Sequence, residues 1–516
     1  MVGVPGRSNA CLTCRDRRIK CDGRKPFCAR CTRNQLTCRG YERPRIFVNQ
    51  FLAADAQASS FSALIHKRWT VFVDPRHHRV RQGQGASIPA CPSPKVHERQ
   101  QLLARFIYSF CPSEVAPLKQ SERLHHYWVQ VLPGLGGNSD ILDAAISSLT
   151  AAYLGQMEGD VALQKQAILL YGHALHELSR NTSAPGFCAD DHTLASIMCL
   201  GMSEIYFSPM AQGQGWVSHN KGGGELLKLR GASIMTSDLG KGLFLRFRVT
   251  GLYTAIGTKK SFCFADPVLR SISRIANENF YDFLVEEMVD ITGLLEGIGS
   301  LFKLGAATER KLHVRRLLLK ALAVRRNLND WLSSFRLMHP YPYIWSLSDH
   351  HDPLHLSHYH ALFPQRLQFI NLLVAQAMIH YWAAMVIVLR CVMVCQDILA
   401  SNLPASQEDD HYDKSGGEDI AGLAGEPLPS EPRTTALRFA DCICHSAEYC
   451  VSSDKGAAGP IVLLFPLWIA KDLYSHEEDE LSKRKEAFCV EVFKEIMNRG
   501  MHFSKALIDL SSRDQV

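Results

Sequence analysis

Beyond about residue 96, apolar positions recur every three or four residues. Leu142, Ile146, Leu149 and Tyr153 make one such stripe. Leu163, Ala167, Leu170, Ala174 and Leu178 make a second, and Leu194, Ile197 or Met198, Gly201 or Met202, and Ile205 a third. This spacing gives an α-helix one apolar face and predicts helices at all three places. Ser139 before Asp140 supplies a helix start, because a short oxygen-bearing side chain can accept from the unpaired N–H groups of a first turn. Few stretches alternate with period two and there is no strand–helix–strand series, so residues 96–516 read as a large all-α domain, in one bundle-like unit or two. The most apolar segment, Phe369–Val394, contains Asn371, Gln376, His380 and Arg390. Its longest polar-free run, Tyr381–Leu389, falls far short of the ~20 residues that a membrane span needs. It reads as a buried core helix, and no membrane partner is expected.

Two stretches break the pattern. Residues 46–95 contain no heptad series, and Val71–Pro94 is rich in Arg, His, Gly and Pro, so this part reads as a linker. A coiled-coil dimer there is unsupported; a homodimer stays open, with its half-site spacing undefined. Residues 403–435 carry eight Asp or Glu against two Lys or Arg, with several Gly and Pro. They read as a disordered acidic surface insertion, with an acidic activating segment as the alternative.

Composition adds two constraints. The chain has 516 residues, 46% hydrophobic and 21% charged, as in soluble globular proteins, and is too long for one ordinary core. Its net charge of +6 is unevenly spread. Residues 1–50 hold twelve Lys or Arg and three Asp or Glu, giving +9; the rest holds 45 basic and 48 acidic residues, giving −3. The basic block alone therefore points to a polyanion as partner. Met1–Ala10 has no apolar run, so no export signal is expected and the thiols are expected to be reduced.

Of 17 cysteines, six fall at Cys11, Cys14, Cys21, Cys28, Cys31 and Cys38, in the pattern C-x2-C-x6-C-x6-C-x2-C-x6-C. The half beginning at Cys28 repeats the half beginning at Cys11 after 17 residues. A redox C-x-x-C would sit in a βαβ setting and a disulfide scaffold would need export, so a thiolate metal cluster is the reading that fits. Zn²⁺ takes four tetrahedral ligands, and thiolates suit it. Two separate sites would need eight sulfurs, so with six present two sulfurs must bridge. The symmetric choice is the first cysteine of each half, Cys11 and Cys28. So short a segment cannot build a stable core, and zinc would supply most of its folding free energy.

The run Cys11-Leu-Thr-Cys14-Arg15-Asp-Arg17-Arg18-Ile-Lys20-Cys21-Asp22-Gly23, with Lys25-Pro26-Phe27-Cys28-Ala-Arg30-Cys31, resembles the fungal binuclear zinc cluster (Zn(II)2Cys6) transcription factors at all six cysteine positions. The resemblance implies a small module of two short helices around two Zn²⁺ ions bridged by Cys11 and Cys28, over residues 1–45. It also implies double-stranded DNA as partner, a CGG-like triplet as target, and base contacts at Arg17 and Arg18. The family most often has Lys where this chain has Arg18. Arginine reads guanine through a bidentate contact to O6 and N7. Arg15, Lys20, Arg24 and Lys25 are better placed for phosphates, which position the module without reading sequence. The same basic run would serve nuclear import. Asp143–Gly155, Trp216–Gly231 and Leu464–Asp472 resemble helices of the regulatory domain found in one branch of that family. That likeness implies a nuclear regulator of RNA polymerase II transcription whose body recruits the transcription machinery or co-regulators, with a biosynthetic gene set as the suggested target.

No P-loop, H-E-x-x-H or G-x-S-x-G pattern occurs, and no enzyme activity is expected. Gly222–Gly224 reads as a loop before a helix. His350, His351, Asp352, His355, His358 and His360 could bind a metal but read as a polar loop. Cys391, Cys395, Cys442 and Cys444 read as small buried residues. The rival reading is a helical small-molecule-binding protein or enzyme with an appended zinc module.

Overall fold

The computed structural model describes residues 10, 11, 13, 14, 17, 19–24, 28–34, 36, 38, 94–111, 124–137, 139–207, 213–260, 262–277, 279–301, 307–339, 344–347, 359, 361–401 and 431–510. The chain divides into two units, 1–91 and 92–516. The coiled-coil reading, the linker up to residue 93, the histidine-rich run and most of the acidic insertion fall outside the described residues, and residues 94 and 95 of the linker begin a helix.

In the first unit, buried Cys11, Cys14, Cys28, Cys31 and Cys38 form the centre, with Ala10, Ile19, Cys21 and Leu36 packed against them. Its helix α1, Ala29–Arg33, is five residues long. Nothing so short is stable alone.

The second unit is helical almost throughout. It comprises α2 (Pro94–Phe110), α3 (Leu124–Leu135), α4 (Asp140–Met157), α5 (Val161–Thr182), α6 (Asp191–Tyr206), α7 (Gln214–Arg230), α8 (Asp238–Thr258) and α9 (Pro267–Ala276). After these come α10 (Phe280–Leu301), α11 (Ala307–Met338), α12 (Leu372–Ser401), α13 (Pro432–His445), α14 (Ala447–Val451), α15 (Ala458–Ser475), α16 (Glu480–Asn498) and α17 (Phe503–Asp509). Side chains cap many of the starts. Ser139 accepts from the Leu142 N–H, Asp160 from Ala162 and Leu163, and Asp190 from Thr193. Asp266 caps α9 just before Pro267, whose missing N–H costs nothing at that position.

The predicted stripes form the core. Leu142, Ile146, Leu149 and Tyr153 of α4 are buried where it packs on α5 and α6. On α5, Ala167, Ala174 and Leu178 face inward while Ile168 and Leu169 stay exposed. Helix α12 is long and apolar enough to cross a membrane, yet Leu372–Leu389 is buried residue by residue, and α10, α11, α13 and α15 pack around the helix. The core-helix reading holds, although Phe369 itself lies in a strand.

One detail is added to the all-α reading, and one expectation needs correction. The body contains a two-stranded antiparallel ladder, β1 (Ile344–Leu347) with β2 (Arg366–Phe369), in the register Ile344 to Phe369. Strands of four residues are too short to show an alternating pattern. Gly222–Gly224 is not a loop but lies inside α7. A Cβ on Gly223 would come within 2.2 Å of Phe247, and one on Gly224 within 2.8 Å of the Cys263 sulfur. The glycines are there because neighbouring side chains fill the space, which outweighs their helix cost of about 1 kcal/mol each.

Candidate metal centre

The six cysteines of the first unit come together as two overlapping quartets, Cys11, Cys14, Cys21, Cys28 and Cys11, Cys28, Cys31, Cys38. Within each quartet all four sulfurs lie within 4.8 Å of one another. The sulfurs of Cys11 and Cys28 belong to both and are 3.6 Å apart. Cys14 to Cys28 is 3.6 Å and Cys11 to Cys31 is 3.8 Å. A tetrahedron with zinc–sulfur bonds of ~2.3 Å has sulfur–sulfur edges of ~3.8 Å, so these spacings suit zinc. Cys14 to Cys31, a pair in neither quartet, is also 3.8 Å, so the four innermost sulfurs sit in one tight group. Among the described residues, these quartets are the groups of His, Cys, Asp or Glu close enough to hold a metal.

The 17-residue repeat reappears in the backbone. The Cys14 N–H donates to the Cys11 sulfur (3.3 Å), and the Cys31 N–H donates to the Cys28 sulfur (3.2 Å). The Cys11 N–H donates to the Cys21 sulfur and the Cys28 N–H to the Cys38 sulfur, both at 3.4 Å. Ile19 donates to the Cys14 carbonyl and Leu36 to the Cys31 carbonyl, both at 2.9 Å. Each N–H directed at a sulfur favours the thiolate over the thiol. Asp22 ties the halves by accepting from the Ala29 N–H at 3.1 Å.

Burial works against these N–H groups. It pushes the Cys11 thiol up to about 12, and raises Cys14 and Cys28 as well. With no cation such sulfurs would keep their protons; a bound dication reverses that balance and deprotonates them. The donor set therefore fits a soft divalent metal. Four thiolates around one dication leave negative charge, and exposed Arg17, Lys20, Arg24, Arg30 and Arg33 surround the cluster with positive charge.

Arg17, Lys20 and Arg24 are thus surface groups beside the cluster. Arg15, Arg18 and Lys25 lie outside the described residues. Sequence reasoning passed over Arg30 and Arg33, both exposed on α1. The repeat carried no signal for them, since it maps Thr13 onto Arg30 and Asp16 onto Arg33, neither of them basic.

Residues 9–45 match the fungal Zn(2)-Cys(6) binuclear cluster domain, and residues 101–256 match the fungal specific transcription factor domain. Over these two stretches, in order, the chain is similar to the fungal zinc-cluster transcription regulators. Transcriptional regulatory protein moc3 of Schizosaccharomyces pombe is 64% identical over 31 residues, 6% of either chain. The aspercryptin biosynthesis cluster-specific transcription regulator atnN of Emericella nidulans is 54% identical over 39 residues, 7% of this chain and 6% of its own. An uncharacterized protein of the same organism is 26% identical over 185 residues, 33% of this chain and 38% of its own. The matches therefore cover well under half of these relatives. No solved structure matches the chain.

Proposed function

We propose that this protein is a nuclear, sequence-specific DNA-binding regulator of RNA polymerase II transcription, folded at its head by two Zn²⁺ ions. Cys11, Cys14, Cys21 and Cys28 hold one ion, and Cys28, Cys31, Cys38 and Cys11 the other, with Cys11 and Cys28 bridging. Arg17 and Arg18 read the guanines of a CGG-like triplet, and Arg15, Lys20, Arg24 and Lys25 hold phosphates. The helical body recruits co-regulators or the transcription machinery. A biosynthetic gene set is the proposed target, supported by the role that the name of the atnN relative states for that protein.

The observation that carries this reading is the pair of quartets sharing Cys11 and Cys28, joined to the +9 charge of the first fifty residues. The test is zinc content and duplex binding of the full-length protein. Two zinc ions per chain, with a preference for a CGG duplex over a scrambled one that Arg17→Ala or Arg18→Ala removes, is the expected result. One ion or none, or equal affinity for both duplexes with a steep salt slope, would overturn it.

A further inference from the structure

Positive charge in the body is gathered on one element. Helix α11 holds eight Lys or Arg against two Asp or Glu, a net +6. The rest of residues 51–516 holds 37 basic and 46 acidic residues, a net −9. The helix also sorts its side chains. Val314, Leu317, Leu318, Ala321 and Leu328 are buried where α11 packs on α10 and α12. Arg315, Arg316 and Lys320 are exposed, and Lys311 is half-buried. At 3.6 residues per turn, Arg315 and Arg316 fall on the side opposite Leu317 and Ala321, with Lys311 and Lys320 on its two flanks. Among the described residues, no ion pair or hydrogen bond joins any of these four side chains to another residue. Exposed arginines elsewhere in the body do pair: Arg105 with Glu158, Arg180 with Glu177, Arg433 with Glu477.

The face carries charge but little apolar surface. From Lys311 to Arg326, Leu312 is the only large apolar side chain that is exposed. Protein–protein interfaces centre on apolar and aromatic groups and are depleted of charge, so this face suits a regular polyanion better than a protein. Lys311 to Arg326 spans ~22 Å of helix, and the same length of DNA duplex carries about 13 phosphate charges. The arginine fork pairs with phosphate oxygens through two parallel hydrogen bonds. The other concentration of positive charge in the chain is the head, with +9 over residues 1–50. Cys38 and Pro94 are separated by 55 residues. Extended chain of that length reaches up to ~180 Å, enough for both units to touch one duplex.

We propose that the outward face of α11 docks on the phosphate backbone of duplex DNA flanking the triplet held by the zinc head. Arg315 and Arg316 take phosphate oxygens in forked pairs, and Lys311 and Lys320 add point charges on either side. The contact reads no sequence. It is weak alone, and a seated head makes it intramolecular, so it adds to an affinity that the head sets. The inference rests on the DNA-binding reading of the head and deepens it, by giving the body a sequence-independent share of the same duplex.

The test is binding of the full-length, zinc-loaded protein to two duplexes with one central CGG, of about 40 and about 12 base pairs, over a range of salt. The variant combines Arg315→Gln, Arg316→Gln and Lys320→Gln, exposed positions where Gln keeps the helix propensity. On the long duplex its affinity is expected to fall about tenfold and its salt slope by about 2 to 3, at ~0.9 per lost phosphate contact. On the short duplex affinity is expected to change less than about twofold, with zinc content and helical signal as in the native protein. A control combining Lys165→Gln, Arg438→Gln and Lys505→Gln removes three exposed charges elsewhere on the body and is expected to keep the native slope. An unchanged slope on the long duplex, equal loss on both duplexes, or equal loss in the control overturns the proposal. So does poly-glutamate binding the native protein as tightly as the long duplex through the same three residues, which would assign the face to an acidic protein. Failure of the reading of the head shows differently, as no preference for CGG over a scrambled triplet. The slope difference on the scrambled long duplex still decides the contact of α11.

Discussion

The two units of this chain meet the same folding requirement by different physics. In the head, the residues at the centre are cysteines, and among the described residues the other apolar groups packed on them are Ala10, Ile19 and Leu36. In the body, one continuous core runs from Leu103 to Leu507 and is dominated by Leu, Ile, Val, Ala and aromatic side chains. Burial of apolar surface can hold the body together without any cofactor. The head has too little such surface, and its buried thiols are set against ionisation until a cation arrives. A perturbation directed at metal ligation should therefore strike one unit and spare the other, and one directed at packing should do the reverse.

The largest effect is expected from Cys28→Ala. Cys28 belongs to both quartets, whereas Cys38 belongs to one. Zinc content should fall to near zero in Cys28→Ala and by about half in Cys38→Ala. DNA binding should be lost in both, while the unfolding midpoint of the helical body stays put. A zinc chelator should act likewise, leaving far-ultraviolet circular dichroism almost unchanged because nearly all helix among the described residues lies in the body. If chelation melted the body, the separation of the two units would be wrong.

The converse is Gly223→Val. The new side chain would collide with Phe247 inside the core, where its Cβ alone would come within 2.2 Å of a ring carbon. Overpacking of this kind costs about 1–3 kcal/mol, with helix propensity a smaller term. Denaturant unfolding of the body should shift by that amount, with zinc per chain untouched. A neutral result would mean that α7 and α8 pack less tightly than described.

Within the head, folding and reading should also come apart. Arg17 is exposed and ligates nothing. Arg17→Ala should keep zinc and lose about 1–3 kcal/mol of discrimination between CGG and scrambled duplexes. Equal loss of affinity for both duplexes would make Arg17 a phosphate contact.

The head was more legible in the sequence than the body. Its six cysteines follow one spacing that repeats at 17 residues, and a count of sulfurs against tetrahedral sites singles out Cys11 and Cys28, the pair that the two quartets share. Ligand chemistry is local, so spacing nearly determines it. The body's helices were legible for a similar reason: the Leu142–Tyr153 stripe and the Ser139 cap are features of one segment. What was not legible depends on contacts between distant segments. The Gly222–Gly224 run looked like a loop because the cause of Gly223 and Gly224, Phe247 and Cys263, lies on other elements. Arg246 and Arg248 are indistinguishable in sequence, and only the packing of α10 shows that Arg248 meets the Asp282 carboxylate while Arg246 meets the Met202 thioether.

Acid should sharpen the comparison by a smaller margin. Burial lowers the His219 imidazole from 6.5 to about 4, and its Nε2 lies 2.8 Å from the Tyr171 hydroxyl. The folded body thus prefers the neutral ring. A depressed folded-state value means that this contribution is fully present above 6.5 and is lost as pH falls from 6.5 toward 4. His219→Gln cannot titrate there, so its unfolding midpoint should fall less steeply across that window than that of the native protein. Acid also releases metal from the head, but by protonating thiolates, a step in which His219 plays no part. Zinc release against pH should therefore be the same in both proteins while the body's unfolding curves diverge. Parallel unfolding curves would mean that His219 is solvated in the folded state, and divergent zinc curves that the two units are coupled.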